Sequence, residues 1–433
     1  MKLLLRMFAL FVAGALPGLA ADKPNVIIIL ADDLGYGDIS AFGNELFETP
    51  HIDALAADGV RFTDFHSNGA VCSPTRAALL TGRYQQRTGI NGVVTAARHR
   101  HTGLPLAEVT FAELVKESGY STGLFGKWHV GYAPKYNPVK QGFDEFIGYV
   151  SGNVDYHAHL DQTGEEDWWK RDKLSPEEGY TTDLITKHGV DFIRRHKDRP
   201  FLLYLGHEAP HYPYQGRKDP PRYTREKGRT KDPHTPEVYQ EMIQVMDEGI
   251  GKIREALVEN GLEKKTLVVF FSDNGPARPG SAGPLRGRKG QLWEGGHRVP
   301  AAACWPGTIE AGRVSEATVM GADLFPTIAA LTSAPLPDGV QIDGINLLPH
   351  LKDGTALPER PMFWATAKQA AARKGSLKLV TGPDFAKPEL YDLAGDLGEE
   401  RNLAGEKPEQ AAELLKLLKD WHADVTDDVE PRS

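Results

Sequence analysis

Asn25-Val26-Ile27-Ile28-Ile29-Leu30-Ala31 is an unbroken apolar run, rich in β-branched residues, that stops at Asp32-Asp33. A strand with one face in water alternates apolar and polar side chains. A run without alternation reads as a strand covered on both faces, the pattern of parallel sheets. Phe201 to Gly206 (F-L-L-Y-L-G) and Thr266 to Ser272 (T-L-V-V-F-F-S) repeat it. Helical spacing lies between these runs, at Ile52 to Asp58, Phe111 to Ser118, Thr182 to His196 and Pro236 to Asn260. Strands alternating with helices predict an α/β sandwich.

The Pro- and Gly-rich connection from Ala334 to Gly344, followed by Leu357-Pro358-Glu359-Arg360-Pro361, marks where a smaller unit begins. Strand patterns at Met362 to Thr366, Ser376 to Thr381 and Leu390 to Leu393 precede an amphipathic helix from Pro408 to Val425. The expected division is therefore a leader at 1–21, a main unit at 22–357 and, at 358–433, an α+β subdomain with a small antiparallel sheet and a helix. The leader reading rests on a basic start (Lys2, Arg6), an apolar stretch too short for a membrane span, and small residues Gly18, Ala20 and Ala21. It implies export, to a periplasm or the outside, with no membrane span once the leader is removed.

With 433 residues, 40% hydrophobic and 25% charged, the chain can bury a large core. Loss of the leader, which carries two cations and no acids, takes the formal charge from −9 to −11. Such acidity excludes nonspecific nucleic-acid binding, so an anionic ligand must find a local basic patch. Two cysteines, Cys72 and Cys304, cannot make a disulfide scaffold. A single bridge between them is the bland alternative to a reactive Cys72 and a buried apolar Cys304 in Ala301-Ala302-Ala303-Cys304-Trp305.

Asp32-Asp33 ends the first apolar run and Asp273-Asn274-Gly275 ends the third. Ligands of open α/β sheets bind at the carboxyl ends of strands. Three carboxylates and an amide oxygen suit a hard, oxygen-seeking cation such as Ca2+ or Mg2+, although each pair alone reads equally well as a helix cap or turn. Val71-Cys72-Ser73-Pro74-Thr75-Arg76-Ala77-Ala78-Leu79-Leu80-Thr81-Gly82-Arg83 adds a C-x-P-x-R run opening an apolar helical pattern. Pro74 suits a first helical turn, whose free N–H groups attract negative charge, and Arg76 adds a planar cationic fork. A side chain at position 72 would meet a bound anion.

These residues resemble the formylglycine-dependent, arylsulfatase-like family of the alkaline-phosphatase superfamily. In that family the signature cysteine is oxidised after synthesis, before or during export, by a formylglycine-generating maturation enzyme. The resemblance extends over Asp32-Asp33-Leu34-Gly35-Tyr36-Gly37-Asp38, Asp273-Asn274-Gly275-Pro276 and Gly119 to His129, where Phe125 replaces a smaller apolar residue. It implies a cation, Ca2+ by preference, held by Asp32, Asp33, Asp273 and Asn274 with oxidised Cys72 facing it. It also implies charge stabilisation by Arg76, Lys127 and Lys289, the last in Arg288-Lys289-Gly290-Gln291-Leu292-Trp293-Glu294-Gly295-Gly296. His129 and His211 (in Ala209-Pro210-His211) would handle protons, His129 at the nucleophile and His211 at the departing alcohol. The fold it implies is α/β and alkaline-phosphatase-like: a large mixed β-sheet sandwiched by helices, with a smaller C-terminal α+β subdomain.

Gln141 to His159 is similar to the pocket-mouth segment of relatives acting on sulfated sugars, which makes Ser151 and His157 candidate substrate contacts. Trp168-Trp169 could stack on sugar faces or simply pack. Seven Lys or Arg against three acids between Tyr214 and His234 suggest a loop, led by Arg217, that steers a sulfated carbohydrate, or merely a solvated one. Two other functions fit the same residues. One is phosphonate monoester or phosphodiester hydrolysis, and the other is noncatalytic binding of sulfated glycans with Cys72 unmodified.

Overall fold

The computed structural model describes residues 23–230 and 235–427, so the expected leader and the end of the basic stretch lie outside the described residues. In chain order the first strands are β1 (Asn25–Ala31), β2 (Val60–Phe62), β3 (Phe65–His66), β4 (Ser121–Lys127), β5 (Glu145–Tyr149), β6 (Trp169–Lys170), β7 (Lys173–Leu174) and β8 (Phe201–Gly206). Then come β9 (Thr266–Ser272), β10 (Ala301–Cys304), β11 (Arg313–Ser315), β12 (Val319–Met320), β13 (Met362–Ala365), β14 (Ala370–Lys374), β15 (Leu377–Thr381) and β16 (Glu389–Asp392). Ten of them form one mixed sheet in the order β11-β2-β10-β9-β1-β8-β4-β5-β6-β7. β1 lies at its centre, parallel to β8 on one side and β9 on the other.

The central strands are apolar throughout because both faces are covered. Val26, Ile28 and Leu30 join one hydrophobic cluster, Ile27, Ile29 and Ala31 the other. The first face is covered by α2 (Cys72–Thr81), α3 (Phe111–Glu117) and α7 (Leu324–Thr332), the second by α1 (Pro50–Ala57), α4 (Thr181–Arg195) and α5 (Pro236–Glu259). Local signals set the helix ends. Thr110 and Glu113 form a reciprocal capping box at the start of α3, and Thr235 caps α5 ahead of Pro236. Gly82, in the left-handed region at φ 70°, closes α2 where an added Cβ would lie 2.7 Å from Phe325 Cβ.

After α6 (Glu294–His297) and α8 (Leu348–Asp353), the antiparallel sheet β13-β14-β15-β16 forms with α9 (Pro408–Asp427) packed on it. Leu414, Leu418, Trp421 and Val425 of α9 share a third cluster with Trp364 and Leu379 of that sheet and with Tyr84 and Leu292 of the main unit. No helix among the described residues is long and apolar enough to cross a membrane. Leu418 is fully buried, so Leu418→Ala should cost about 2–5 kcal/mol, read as a lower urea midpoint. An unchanged midpoint would mean that α9 does not close this core.

Candidate active site

Three carboxylates converge where β1 and β9 end. The Asp273 N–H donates to Ala31 O at 3.0 Å, and the Asp32 N–H to Ala209 O at 3.2 Å, after β8. Asp33 adopts a left-handed φ of 62°, uncommon outside glycine and a form of strain that collects at functional sites. Its N–H donates to Asp273 Oδ1 (3.2 Å), and Asn274 Nδ2 donates to Asp33 Oδ1 (2.8 Å). Asp32, Asp33, Asp273 and Asn274 are all buried.

Three cations offset that charge, each from a different element. Lys127, the last residue of β4, donates to Asp32 Oδ2. Arg76, one turn into α2, donates to Asp273 Oδ2 from Nε (3.1 Å) and Nη2 (2.9 Å), and to Lys127 O (3.2 Å) from Nη1. Gly206 ends β8 there, and a Cβ on it would stand 2.6 Å from Lys127 O. Lys289 donates to Asp33 Oδ1 at 2.5 Å; its side chain is 20% exposed, while Lys127 and Arg76 are sealed. Burial pushes the Asp33 carboxyl up, yet Lys289 and His211 hold it at about 2. Burial and Asp32 push Asp273 up to about 6 against Arg76 and Lys127. Burial disfavours the charged Lys289 ammonium, yet Asp33, with Asp32 and Asp273, holds it well above the ordinary lysine range.

Cys72 opens α2, four residues before Arg76 and therefore on the same helix face. Its Sγ lies 3.5 Å from Asp32 Oδ1 and accepts from Lys289 Nζ at 3.4 Å. Burial pushes the thiol up to about 12 despite Lys127 and Lys289, so the unmodified side chain is a neutral thiol at ordinary pH. Asp32, Asp33, Cys72 and His211 present ligand atoms all within 4.8 Å of one another. Asp33 Oδ2 and Asn274 Oδ1 are buried without a hydrogen-bond donor, a deficit that a hard cation would relieve.

The two histidines differ in tautomer. His129 Nε2 lies 2.9 Å from Val94 O, which can only accept, so that nitrogen carries hydrogen and the buried, unpartnered Nδ1 is bare. Burial, then Lys127 and Arg76, push its pKa well below the usual value, which makes His129 a neutral proton acceptor. His211 Nδ1 donates to Tyr212 O at 2.5 Å, leaving Nε2 3.6 Å from Asp33 Oδ2. Burial lowers His211 strongly while Asp33 favours its protonation.

Lys289 is positioned by backbone close approach. Its N–H donates to Pro276 O (3.1 Å), Gly290 N–H to Ala70 O (2.7 Å) and Gly275 N–H to Gly296 O (2.9 Å). A Cβ on Gly275 would stand 1.9 Å from Gly295 O, so the two glycine-bearing turns require each other. Beneath them lies a buried ionic network that the sequence reading missed. Lys378 of β15 bridges Glu294 Oε1 (2.8 Å) and Glu399 Oε1 (2.9 Å), and Arg373 of β14 pairs with Asp64 at 2.6 Å. Only the E-G-G motif hinted at it, because nothing in a strand pattern distinguishes a buried lysine from a solvated one.

The remaining candidates do not join the cluster directly. Ser151 gives its hydroxyl to Asn153 O (2.9 Å) and its N–H to Asp167 Oδ2 (2.8 Å), although a Cβ on adjacent Gly152 would lie 2.7 Å from His129 Nε2. His157 Nε2 bonds Gly216 O at 3.1 Å. Arg217 is held by Asp183 (2.8 Å) and Glu248 (2.7 Å). Trp168 is buried and stacked on His159 at 4.4 Å, so it packs rather than offering a sugar platform. Cys72 and Cys304 are both free, which removes the bridge.

A family model described as Sulfatase matches residues 24–334. Human (Homo sapiens) N-acetylgalactosamine-6-sulfatase is 37% identical over 369 residues, 80% of this chain and 69% of that protein. Human arylsulfatase A is 35% identical over 471 residues, 93% and 89% of the two chains. The crystal structure of Ps i-CgsB in complex with k-i-k-neocarrahexaose superposes with a TM-score of 0.85 at 30% identity, covering 94% of each chain.

Lys378→Met would leave Glu294 and Glu399 facing each other in the interior. It should destabilise the protein by about 3–5 kcal/mol in urea unfolding, and a shift below about 1 kcal/mol would show the network to be dispensable.

Proposed function

The chain belongs to the sulfatase family and hydrolyses sulfate esters, and we propose that it does so with a formylglycine made from Cys72. The single observation that carries this reading is the company of Cys72. It is the first residue of a buried helix, in contact with Asp32 and Lys289 and one turn from Arg76. A neutral thiol is a poor nucleophile there; the hydrated aldehyde would supply a hydroxyl to attack sulfur. In this reading Sγ stands where that hydrate's oxygens would be, and a maturation enzyme acts before or during export. The apolar leader at 1–21 supports an exported, periplasmic or secreted protein.

Asp32, Asp33, Asp273 and Asn274 would hold Ca2+, with Mg2+ the alternative, beside the oxidised residue 72. When bound, the ion supplies Lewis-acid polarisation of a sulfuryl oxygen. Arg76, Lys127 and Lys289 spread positive charge around the site, where negative charge grows on oxygen as the S–O bond breaks. Attack by one hydroxyl leaves the sulfuryl group on residue 72; His129, its Nδ1 bare and its ring fixed by Val94 O, then takes the proton from the other hydroxyl, so that the C–O bond to sulfate breaks, sulfate leaves and the aldehyde is restored. His211 would give a proton from Nε2 to the departing alcohol; burial keeps the resting ring neutral, so this role requires Nε2 to gain a proton once substrate is bound, a form that neighbouring Asp33 favours. Residues 22–357 carry this chemistry, and 358–433 support the turn that bears Lys289.

A sulfated carbohydrate is the substrate class this reading favours. Two observations support it: the named activity of the N-acetylgalactosamine-6-sulfatases and the neocarrahexaose bound to Ps i-CgsB. Ser151, adjacent to the Gly152 that abuts His129, and His157, whose ring lies 5.3 Å from that of Tyr180, are proposed as substrate-side residues. Arg217, held by two carboxylates, would serve only through the field of its loop.

In natively matured protein, the peptide containing residue 72 should have the mass of an aldehyde, and Cys72→Ala should fold normally yet lose at least about a thousandfold in aryl sulfate turnover. A thiol mass in fully active protein, or an undiminished rate in the variant, would refute the assignment.

A further inference from the structure

Most arginines of the basic stretch are neutralised in place. Arg217 pairs with Asp183 and Glu248, Arg222 with Asp219 at 3.1 Å, and Arg225 with Glu166. Arg229 is different. Among the described residues no carboxylate lies within ion-pair reach of it; instead its guanidinium carbon sits 4.0 Å from the centroid of the Tyr212 ring. Tyr212 in turn lies against the His211 ring, centroids 4.2 Å apart and planes 30° apart. A cation is thus one aromatic ring away from the histidine that faces Asp33.

The position is held rather than floating. The Arg229 N–H donates to Gln162 O at 3.0 Å, and a tight turn joins Thr224 and Gly228 just before it, with Gly228 N–H to Thr224 O at 2.7 Å. Gly228 has φ 55°, and a Cβ there would stand 2.4 Å from Gln162 O. The Gln162 side chain donates to Tyr212 Oη (3.3 Å) and to Asn153 Oδ1, and Asn153 follows Gly152, the neighbour of the His129 ring. Gln162 therefore ties the Arg229–Tyr212–His211 stack to the wall beside His129. Stacking occupies the face of a guanidinium and leaves its edge N–H groups free for a planar pair of oxygens. In an acidic protein, a guanidinium stacked next to the reaction centre, with no carboxylate partner among the described residues, favours an anion.

We propose that Arg229 reads a second oxyanion of the substrate, a sulfate or carboxylate on the sugar unit beside the one bearing the ester to be cleaved. The assignment rests on the sulfated-carbohydrate reading above and makes Arg229 a specificity-determining residue.

The test uses matured, full-length protein and three disaccharides that share one scissile sulfate ester and differ in the adjoining ring: neutral, carboxylated or carrying a second sulfate. The wild type should favour at least one charged substrate over the neutral one, in kcat/KM and through KM. That preference should fall about tenfold in Arg229→Gln, the size of one charge-assisted hydrogen bond, and shrink in high salt. Loss with the carboxylated but not the disulfated substrate, or the reverse, identifies which oxyanion is read. Equal losses on all three, or a wild type indifferent to the adjoining ring, would overturn the subsite while leaving sulfate ester hydrolysis intact. No turnover of these sugars by wild type that does cleave an aryl sulfate would remove the carbohydrate reading, and the subsite with it.

Discussion

Everything at the reaction centre follows from packing Asp32, Asp33 and Asp273 together out of water. Carboxylates at such spacing repel, and burial disfavours each of them, so the arrangement stands only because Arg76, Lys127 and Lys289 meet them one to one. Each cation comes from a separate part of the fold: a helix start, a strand end and a turn. The central sheet is what makes the meeting possible, since β1, β9, β4 and β8 finish at the same edge. Even so, Asp33 Oδ2 and Asn274 Oδ1 remain without donors, so the balance of charge is complete while the balance of coordination is not.

The C-terminal sheet contributes to that balance from below. Glu294 and Glu399 share Lys378, Asp64 is paired with Arg373, and all are buried. The turn that bears Lys289 is thereby fixed from a segment almost ninety positions later in the chain. Buried pairs of this kind add little net stability when intact but are costly to break, which suits a device that specifies geometry. The proposed contact to a second substrate anion lies where Arg229, Tyr212 and Gln162 border His211.

Much of this was legible in the residues themselves. β1, β8 and β9 follow the three apolar runs, and α1, α3, α4, α5 and α9 fall within two residues of the predicted bounds. The acidic pairs, Cys72, Arg76, Lys127 and Lys289 do meet, because strand ends and motif spacing carry that information. β10 (A-A-A-C) and β14 (A-A-A-R-K) were not readable as strands: alanine favours helix, and only the sheet around them overrides it. Arg217 and Arg229 look alike in a basic stretch. Nothing local reveals that Asp183 and Glu248 neutralise the first while an aromatic ring holds the second. The same holds for Trp168, whose burial depends on His159 and Tyr149.

The central claim is that Asp32, Asp33, Asp273 and Asn274, charge-balanced by Arg76, Lys127 and Lys289, form a site for a hard divalent cation. Calorimetric titration of chelator-treated protein with Ca2+ addresses this most directly, with Asn274→Ala and Asp33→Asn as companions. A single saturable site in the wild type, weakened at least about tenfold in both variants, is the predicted result. Absence of Ca2+ and Mg2+ binding in the wild type, or binding untouched by both substitutions, would contradict it.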